Sequence, residues 1–273
     1  MNAQENMHPF DLATKLISES GVYRGNTSEA YDNMVGPFGG FIAATLLRAV
    51  LEHPERIGEP LALTINYAAP IANGEFFIKA NPARTNRSTQ HWLVELFQGE
   101  ESIITGTAVT AKRRETWSDT EVKFPSVPDP EKVPSIPLEG SPKWVRSYDI
   151  RVVKGFPHIA SENLKENDDS ETIQWVQDHP KRTLDFLSLT AMSDAFFPRV
   201  FVRRNKILPA STVSLTIYFH EDDETLTSLG ADPILGVTRG LRFNRGFFDH
   251  TGEMWSKNGI LLASTRQVVY YKD

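Results

Sequence analysis

Two spacings of apolar residues alternate along the chain, and the places where one gives way to the other divide it into elements. Residues 10–32 are mixed and polar, with a strand pair expected around Val22 and Tyr23 and a turn at Gly25 and Asn26. In VGPFGGFIAATLLRAVLEHP the helical spacing takes over. Ile42, Leu46, Ala49 and Val50 share one face of a helix over 41–52, entered through Pro37, Gly39 and Gly40 and stopped by Pro54. From 61 to 112 the period falls to two. LALTINYAAP, EFFIKANPAR, STQHWLVELFQ and SIITGTAVTAK read as four strands, broken at Asn73–Gly74, Asn86–Arg87 and Gly99–Glu100.

Residues 115–146 follow neither period. Pro125, Pro128, Pro130, Pro134, Pro137 and Pro142 mark an extended, semi-rigid connection that Trp117 and Phe124 are expected to pin to the surface. Strands resume over 148–153 and 172–177, and the acidic SENLKENDDSE between them reads as a solvated loop. TLDFLSLTAMSDAFFP (183–198) has helical spacing. STVSLTIYFHE, LGVTRGLRFNRGFF, GEMWSK and ILLASTRQVVYY are again strand-like, with a hairpin turn at Lys257–Asn258–Gly259.

The order of elements therefore occurs twice: a helix, then about four strands. LALTINY set beside VSLTIYF aligns Thr64 with Thr216, and GEESIITGTAV set beside KNGILLASTRQV aligns Ile103 with Leu261. A period this long signals a duplicated domain rather than a repeat array. The fold class expected is α+β, with two tandem units, each a helix wrapped by a curved antiparallel sheet. The boundaries are 1–114 for the first unit, 115–146 for the linker and 147–273 for the second.

Two residues do not suit the faces they occupy. In the 183–198 helix Thr183 is the expected N-cap, Asp185 suits the first turn and Pro198 the stop. Leu187, Thr190, Ala191 and Asp194 then share a face. A carboxylate among core-facing residues needs a donor or a counter-charge. In ILLASTRQVVYY, alternation puts Gln267 on the face of Leu261, Ala263 and Val269, where an amide also needs partners. Both misfits are answered if Asp194 and Gln267 meet. Thr212 is a further candidate, although alternation with Val213, Leu215 and Ile217 points it the other way.

Bulk properties narrow the partners. The net charge is −6, the isoelectric point is near 5.7, and no basic stripe is present, which argues against nucleic acid. No apolar run approaches the ~20 residues that span a bilayer. The first residues lack the pattern of a secretion signal. The absence of cysteine excludes disulfides and thiolate chemistry and fits a cytoplasmic setting. The histidines show no metal-ligand spacing, and no GxSxG elbow supports a serine nucleophile.

With these residues in view, the chain resembles the acyl-CoA thioesterase II family, whose members have a double hotdog fold. The resemblance spans nearly the whole chain and is most specific in LTAMSDAFFP, STVSLTIYFH and NGILLASTRQ. GGFIAATLLRA matches more loosely. It implies a hydrolytic water held by Asp194, Thr212 and Gln267, with no metal, no cofactor and no covalent intermediate. The substrate implied is an acyl-CoA, cleaved to a carboxylic acid and coenzyme A, in a homodimer or higher homo-oligomer. Backbone N–H groups at Gly39 and Gly40 are candidate oxyanion donors. Arg245, with Arg239 and Arg242, is a candidate for coenzyme A phosphates. Aligning the two halves puts Val109 opposite Gln267, Pro60 opposite Thr212 and, with helices anchored on Pro54 and Pro198, Val50 opposite Asp194. The first half is therefore expected to be catalytically empty. The alternatives are a non-hydrolytic acyl-CoA or acyl-group binding protein, a hydrolase of another thioester or ester, and, last, a dehydratase, which would want a helix histidine.

Overall fold

The computed structural model describes residues 7–19, 21–157 and 165–273. The first half contains α1 (Pro9–Ala13), β1 (Ile17–Glu19), β2 (Val22–Asn26), α2 (Gly39–Leu51), β3 (Glu59–Tyr67), β4 (Glu75–Thr85), β5 (Thr89–Gln98) and β6 (Glu101–Ala111). After the linker come β7 (Tyr148–Lys154), β8 (Thr172–Asp178), α3 (Phe186–Met192), α4 (Arg199–Arg204) and β9 (Ala210–Phe219). The chain closes with α5 (Asp223–Ser228), β10 (Ile234–Arg239), β11 (Phe243–Asn244), β12 (Phe247–Trp255) and β13 (Leu261–Tyr271).

All strands join one antiparallel sheet in the order β1-β2-β4-β5-β6-β3-β9-β13-β12-β10-β8-β7, with β11 hairpinned to β12. The order is the same read outward from its middle: the strand after each half's helix is central, the last strand of that half is next, and earlier strands follow. At the middle β3 pairs with β9, Thr64 faces Thr216, and their hydroxyl oxygens lie 3.1 Å apart. The two threonines that the sequence echo aligns thus sit opposite one another at the seam.

Helix α2 is buried almost all round. The spacing of its apolar residues reads as one face, but its far side packs on α3, so both sides are covered. β2 absorbs Gly25, where a turn is expected. A Cβ there would lie 2.6 Å from the Phe76 ring, so the glycine serves close strand packing rather than reversal. Trp117 is 86% exposed and pins nothing. Phe124 packs edge-on against Trp255, and Trp144 stacks on Phe38 at 4.2 Å. The linker is thus held at both ends by aromatic contacts. The first four residues of the acidic segment lie outside the described residues. Beyond them Glu166 pairs with Arg203 and Arg204.

The 183–198 helix is the main correction. Only Phe186–Met192 of it is helical, as α3, capped by Asp185, whose side chain accepts from the Ser188 N–H; a second helix, α4, starts after Pro198. Thr183 is not the cap, and Pro198 opens a helix rather than closing one. Thr190 bonds back to the Phe186 carbonyl, as Thr45 does to Phe41 inside the unbroken α2, whereas Ser193 takes the Thr190 carbonyl at the point where α3 ends. Between the pieces, 193–198 run as turn, bend and irregular chain.

Candidate active site

Asp194 lies just past the last turn of α3, in this break. Its side chain leaves the helix and meets the opposite half. The Gln267 amide donates through Nε2 to Asp194 Oδ1 at 2.8 Å, and the Gly40 N–H donates to the same carboxylate. Gly40 is in the first turn of α2, so the carboxylate sits at the positive end of a 13-residue helix. The glycines permit this approach. A Cβ on Gly39 would lie 2.7 Å from Asp194 Oδ2, and one on Gly40 would lie 2.3 Å from the Ala191 carbonyl oxygen. The Gly pair is therefore a steric device that brings helix start and carboxylate together.

Burial pushes the Asp194 carboxyl up to about 7, against the lowering pull of the Gln267 amide and the Gly40 N–H. The residue as a whole is half-buried, and it is the carboxyl group that is desolvated. Tyr67, at the end of β3, donates its hydroxyl to the Gly39 carbonyl at 2.8 Å. Its phenol is held well above the usual range by burial and then by the Asp194 charge, so it remains a neutral donor. Tyr148 is shifted the same way, chiefly by burial. Asp178 is a second buried carboxyl, pushed up to about 6 by burial, but it accepts from the Ser188 hydroxyl and braces the start of α3.

Thr212 reaches the Gln267 face by a route that alternation misses. Between β9 and β13 the register runs Ser214 to Val268 and then Thr212 to Val269, so Val213 is an extra residue, a β-bulge. The bulge returns Thr212 to the inner side, beside the Leu215–Gln267 pair. Its cross-strand partner is Val269, two residues along β13 from Gln267, and among the described residues no hydrogen bond joins it to Asp194 or Gln267. Arg245 stays apart. It is exposed at the β11–β12 hairpin with φ of 50°, and the next residue, Gly246, accepts from the Tyr271 N–H at the end of β13.

The register also corrects the comparison of halves. β3 and β6 pair Thr64 with Thr107, while β9 and β13 pair Thr216 with Arg266. The counterpart of Gln267 is therefore Ala108, not Val109, and a one-residue slip exchanges the faces of a strand. Pro60 remains opposite Thr212, and a matching irregularity falls beside it. Val50, by contrast, is buried inside an unbroken helix and does not correspond to Asp194.

Sequence reading missed Tyr67, Tyr148 and His250. Tyr67 could have been found, because it ends the apolar alternation Leu63, Ile65. His250 faces Gln267 across β12 and β13 and is buried. Arg199, also buried, is lowered to about 9 by burial. It binds the Ser170 carbonyl at 2.9 Å and the Thr172 hydroxyl at 2.8 Å, which ties α4 to the sheet. Among the described residues no group of acidic, histidine or cysteine side chains could hold a metal ion. No helix among them is long and apolar enough to cross a membrane.

Residues 28–111 match the acyl-CoA thioesterase N-terminal domain and residues 122–271 the acyl-CoA thioesterase C-terminal domain. Among solved structures, a conserved protein of unknown function with a hot dog fold from Alicyclobacillus acidocaldarius is 44% identical, with TM-score 0.93 over 98% of this chain and 99% of that one. A putative thioesterase II from Thermobifida fusca is 19% identical, with TM-score 0.83 over 98% and 99%. An acyl-CoA thioesterase II from Mycobacterium marinum is 16% identical, with TM-score 0.75 over 96% and 98%. No curated protein sequence matches the chain. The architecture is thus a double hotdog, and the chain belongs to the acyl-CoA thioesterase family.

Proposed function

We propose that the protein hydrolyses an acyl-CoA thioester by direct attack of water. The observation that carries this reading is the Asp194 carboxylate, desolvated and held by the Gln267 amide at the N-terminus of α2. Asp194 takes a proton from the water, the resulting hydroxide attacks the thioester carbonyl carbon, and the carbon–sulfur bond breaks to release coenzyme A thiolate. The proton on Asp194 then passes to the thiolate or to solvent. A carboxyl with a pKa near the working pH suits this role, and general-base help is worth roughly 10²–10⁴-fold. Gln267 orients the carboxylate, and the Thr212 hydroxyl contacts the water on the same inner face.

The oxyanion role falls to one of the two glycines. Gly40 has its N–H committed to Asp194, so the donor to the developing oxyanion is Gly39, whose position in the first turn leaves its N–H without an intrahelical partner. Arg245, exposed at its hairpin, is assigned to the distant phosphates of coenzyme A. In this reading residues 1–114 form a half that supplies the helix start but no base, 115–146 the linker, and 147–273 the half that carries the chemistry.

The test is free-thiol release from acyl-CoAs of short to long chain by wild type and Asp194→Asn. Turnover that collapses in the variant, with folding intact, supports the reading and reveals the chain length preferred. Turnover untouched by the substitution moves the base elsewhere. Binding of acyl-CoA without any turnover makes the protein a carrier.

A further inference from the structure

The two central strands end differently. Aligned on Thr64 and Thr216, the last residue of β3, Tyr67, corresponds to the last residue of β9, Phe219. Each ring meets the first residue of a helix. Phe219 packs edge-on against Phe186, which opens α3, with ring centroids 5.5 Å apart. Tyr67 meets Gly39, which opens α2, and adds a bond: its hydroxyl donates to the Gly39 carbonyl at 2.8 Å. Packing at this position is thus satisfied by a phenyl ring. The hydroxyl is present in the half whose helix start faces a carboxylate.

The carbonyl that Tyr67 grips and the N–H that Asp194 accepts belong to one peptide unit. The Gly39 carbonyl carbon is bonded to the Gly40 nitrogen, and the unit is planar, so fixing one end fixes the other. The Gly40 N–H donates to the Asp194 carboxylate. This unit lies between two glycines, whose backbones have the widest freedom, and in a first turn, where no earlier turn holds the N–H groups. Tyr67 is itself well anchored. It pairs with Ile104 of β6, and the N–H groups of Ala68 and Ala69 both donate to the Ile103 carbonyl at 3.1 Å. A donor on an amide oxygen also polarises the amide and strengthens its N–H bond by roughly 10–30%.

Tyr67 and Asp194 approach the same side of the glycine. A Cβ on Gly39 would lie 3.4 Å from the Tyr67 hydroxyl oxygen and 2.7 Å from Asp194 Oδ2. The phenols of Tyr67 and Tyr148 both feel the Asp194 charge and stay neutral. His250, opposite Gln267, is kept neutral by burial and by the Arg199 charge. No charged group contributes to the shift of Asp194 itself, which leaves its hydrogen bonds to set it against burial. We infer that Tyr67 is a positioning residue for the Asp194 base: its hydroxyl holds the Gly39–Gly40 peptide so that the Gly40 N–H points at the carboxylate. The kinetic half of this inference rests on the hydrolytic reading of Asp194; the clamp on the carboxylate does not.

The experiment compares wild type with Tyr67→Phe, which copies Phe219 and keeps the ring. The readouts are pH profiles of thiol release and a carbon-13 NMR titration of the aspartate carboxyls, the Asp194 signal being the one lost in Asp194→Asn. Weakening the Gly40 bond favours the protonated carboxyl. The acidic limb of kcat/KM and the carbon titration should therefore both move from near 7 to higher pH, by about half a pH unit. On the alkaline plateau kcat should fall about tenfold. Tyr31→Phe, which removes a hydroxyl from the ring stacked on Phe41 of the same helix, should move neither the limb nor the titration. A Tyr67→Phe protein that melts earlier but keeps the wild-type limb and titration reduces the tyrosine to packing and overturns the inference. An equal shift in Tyr31→Phe overturns it too, since any loosening of α2 would then suffice. A wild type that cleaves no acyl-CoA removes the hydrolytic reading, while the carbon titration still decides the clamp.

Discussion

The two halves share a strand order but treat their helices and inner sheet faces in opposite ways. In the first half α2 is continuous and buried, and the sheet behind it is mostly apolar, with Leu63, Ile65, Val94, Leu96, Ile78 and Ala108 turned inward and the buried pair Gln90 and Thr110 as exceptions toward one end. In the second half the helix breaks at 193–198, and the sheet behind it carries Thr172, Gln174, Thr238, His250, Thr265 and Gln267, all buried. The unbroken helix contributes its N-terminus, and the broken one contributes the carboxylate that its break sets free. A helix interior cannot present a carboxylate head-on to another helix's N–H groups, because its side chains point sideways. Division of labour between the halves therefore follows from where each helix is allowed to end.

The substitution that should disturb this contrast most is Asp194→Asn. Besides losing roughly 10²–10⁴-fold in turnover, it should make the protein more stable at alkaline pH. The folded-state carboxyl is raised to about 7 from a model value of 3.8, so the native state binds its proton more tightly than the unfolded chain. Stability of the wild type should fall as pH rises from about 4 to about 7, by roughly 2–4 kcal/mol. The variant should lack that fall, and urea unfolding at pH 5 and pH 8 checks it.

Next is Gly39→Ala. The added methyl would press on Asp194 Oδ2, and kcat is expected to drop about 10²-fold, since a misplacement of about 1 Å can cost that much. Circular dichroism would show whether the fold is retained. A smaller effect, on stability, is expected of Ala108→Gln, which copies Gln267 into the apolar half. With no carboxylate opposite, the amide should cost about 1–3 kcal/mol and create no activity. Any second site that appeared would show the halves to be more alike than their helices suggest. The smallest effect is a displacement along the pH axis. The Gln267 bond lowers the Asp194 pKa, so Gln267→Ala should move the acidic limb of kcat/KM from near 7 to higher pH.

Much of this was open to reading from residues. The strands of the first half and β13 follow from alternation, because one face of each is buried. Asp194 and Gln267 stand out because polar groups on apolar faces require partners, and they partner each other. The failures share one cause: they depend on events that periodicity averages over. A single bulged residue, Val213, reverses Thr212, and a one-residue shift exchanges Val109 for Ala108. The break in the second helix falls where Ser193 takes the Thr190 carbonyl, and beyond it stands a proline, a residue that can open a helix as well as close one. His250 was hidden because FFDHTGEMW reads as an ordinary alternating strand until its neighbours are known.

The seam where Thr64 meets Thr216 joins residues 152 apart in sequence, and the Gln267–Asp194 bond spans a further 73. Gly40 is joined to Asp194, and Asp194 in turn to Gln267. The site therefore cannot exist until residue 267 has joined its partners, and contacts of such long separation close slowly. Regain of thiol release after dilution from denaturant should consequently lag behind the recovery of α2 and the first-half strands, making turnover a signal that folding is finished.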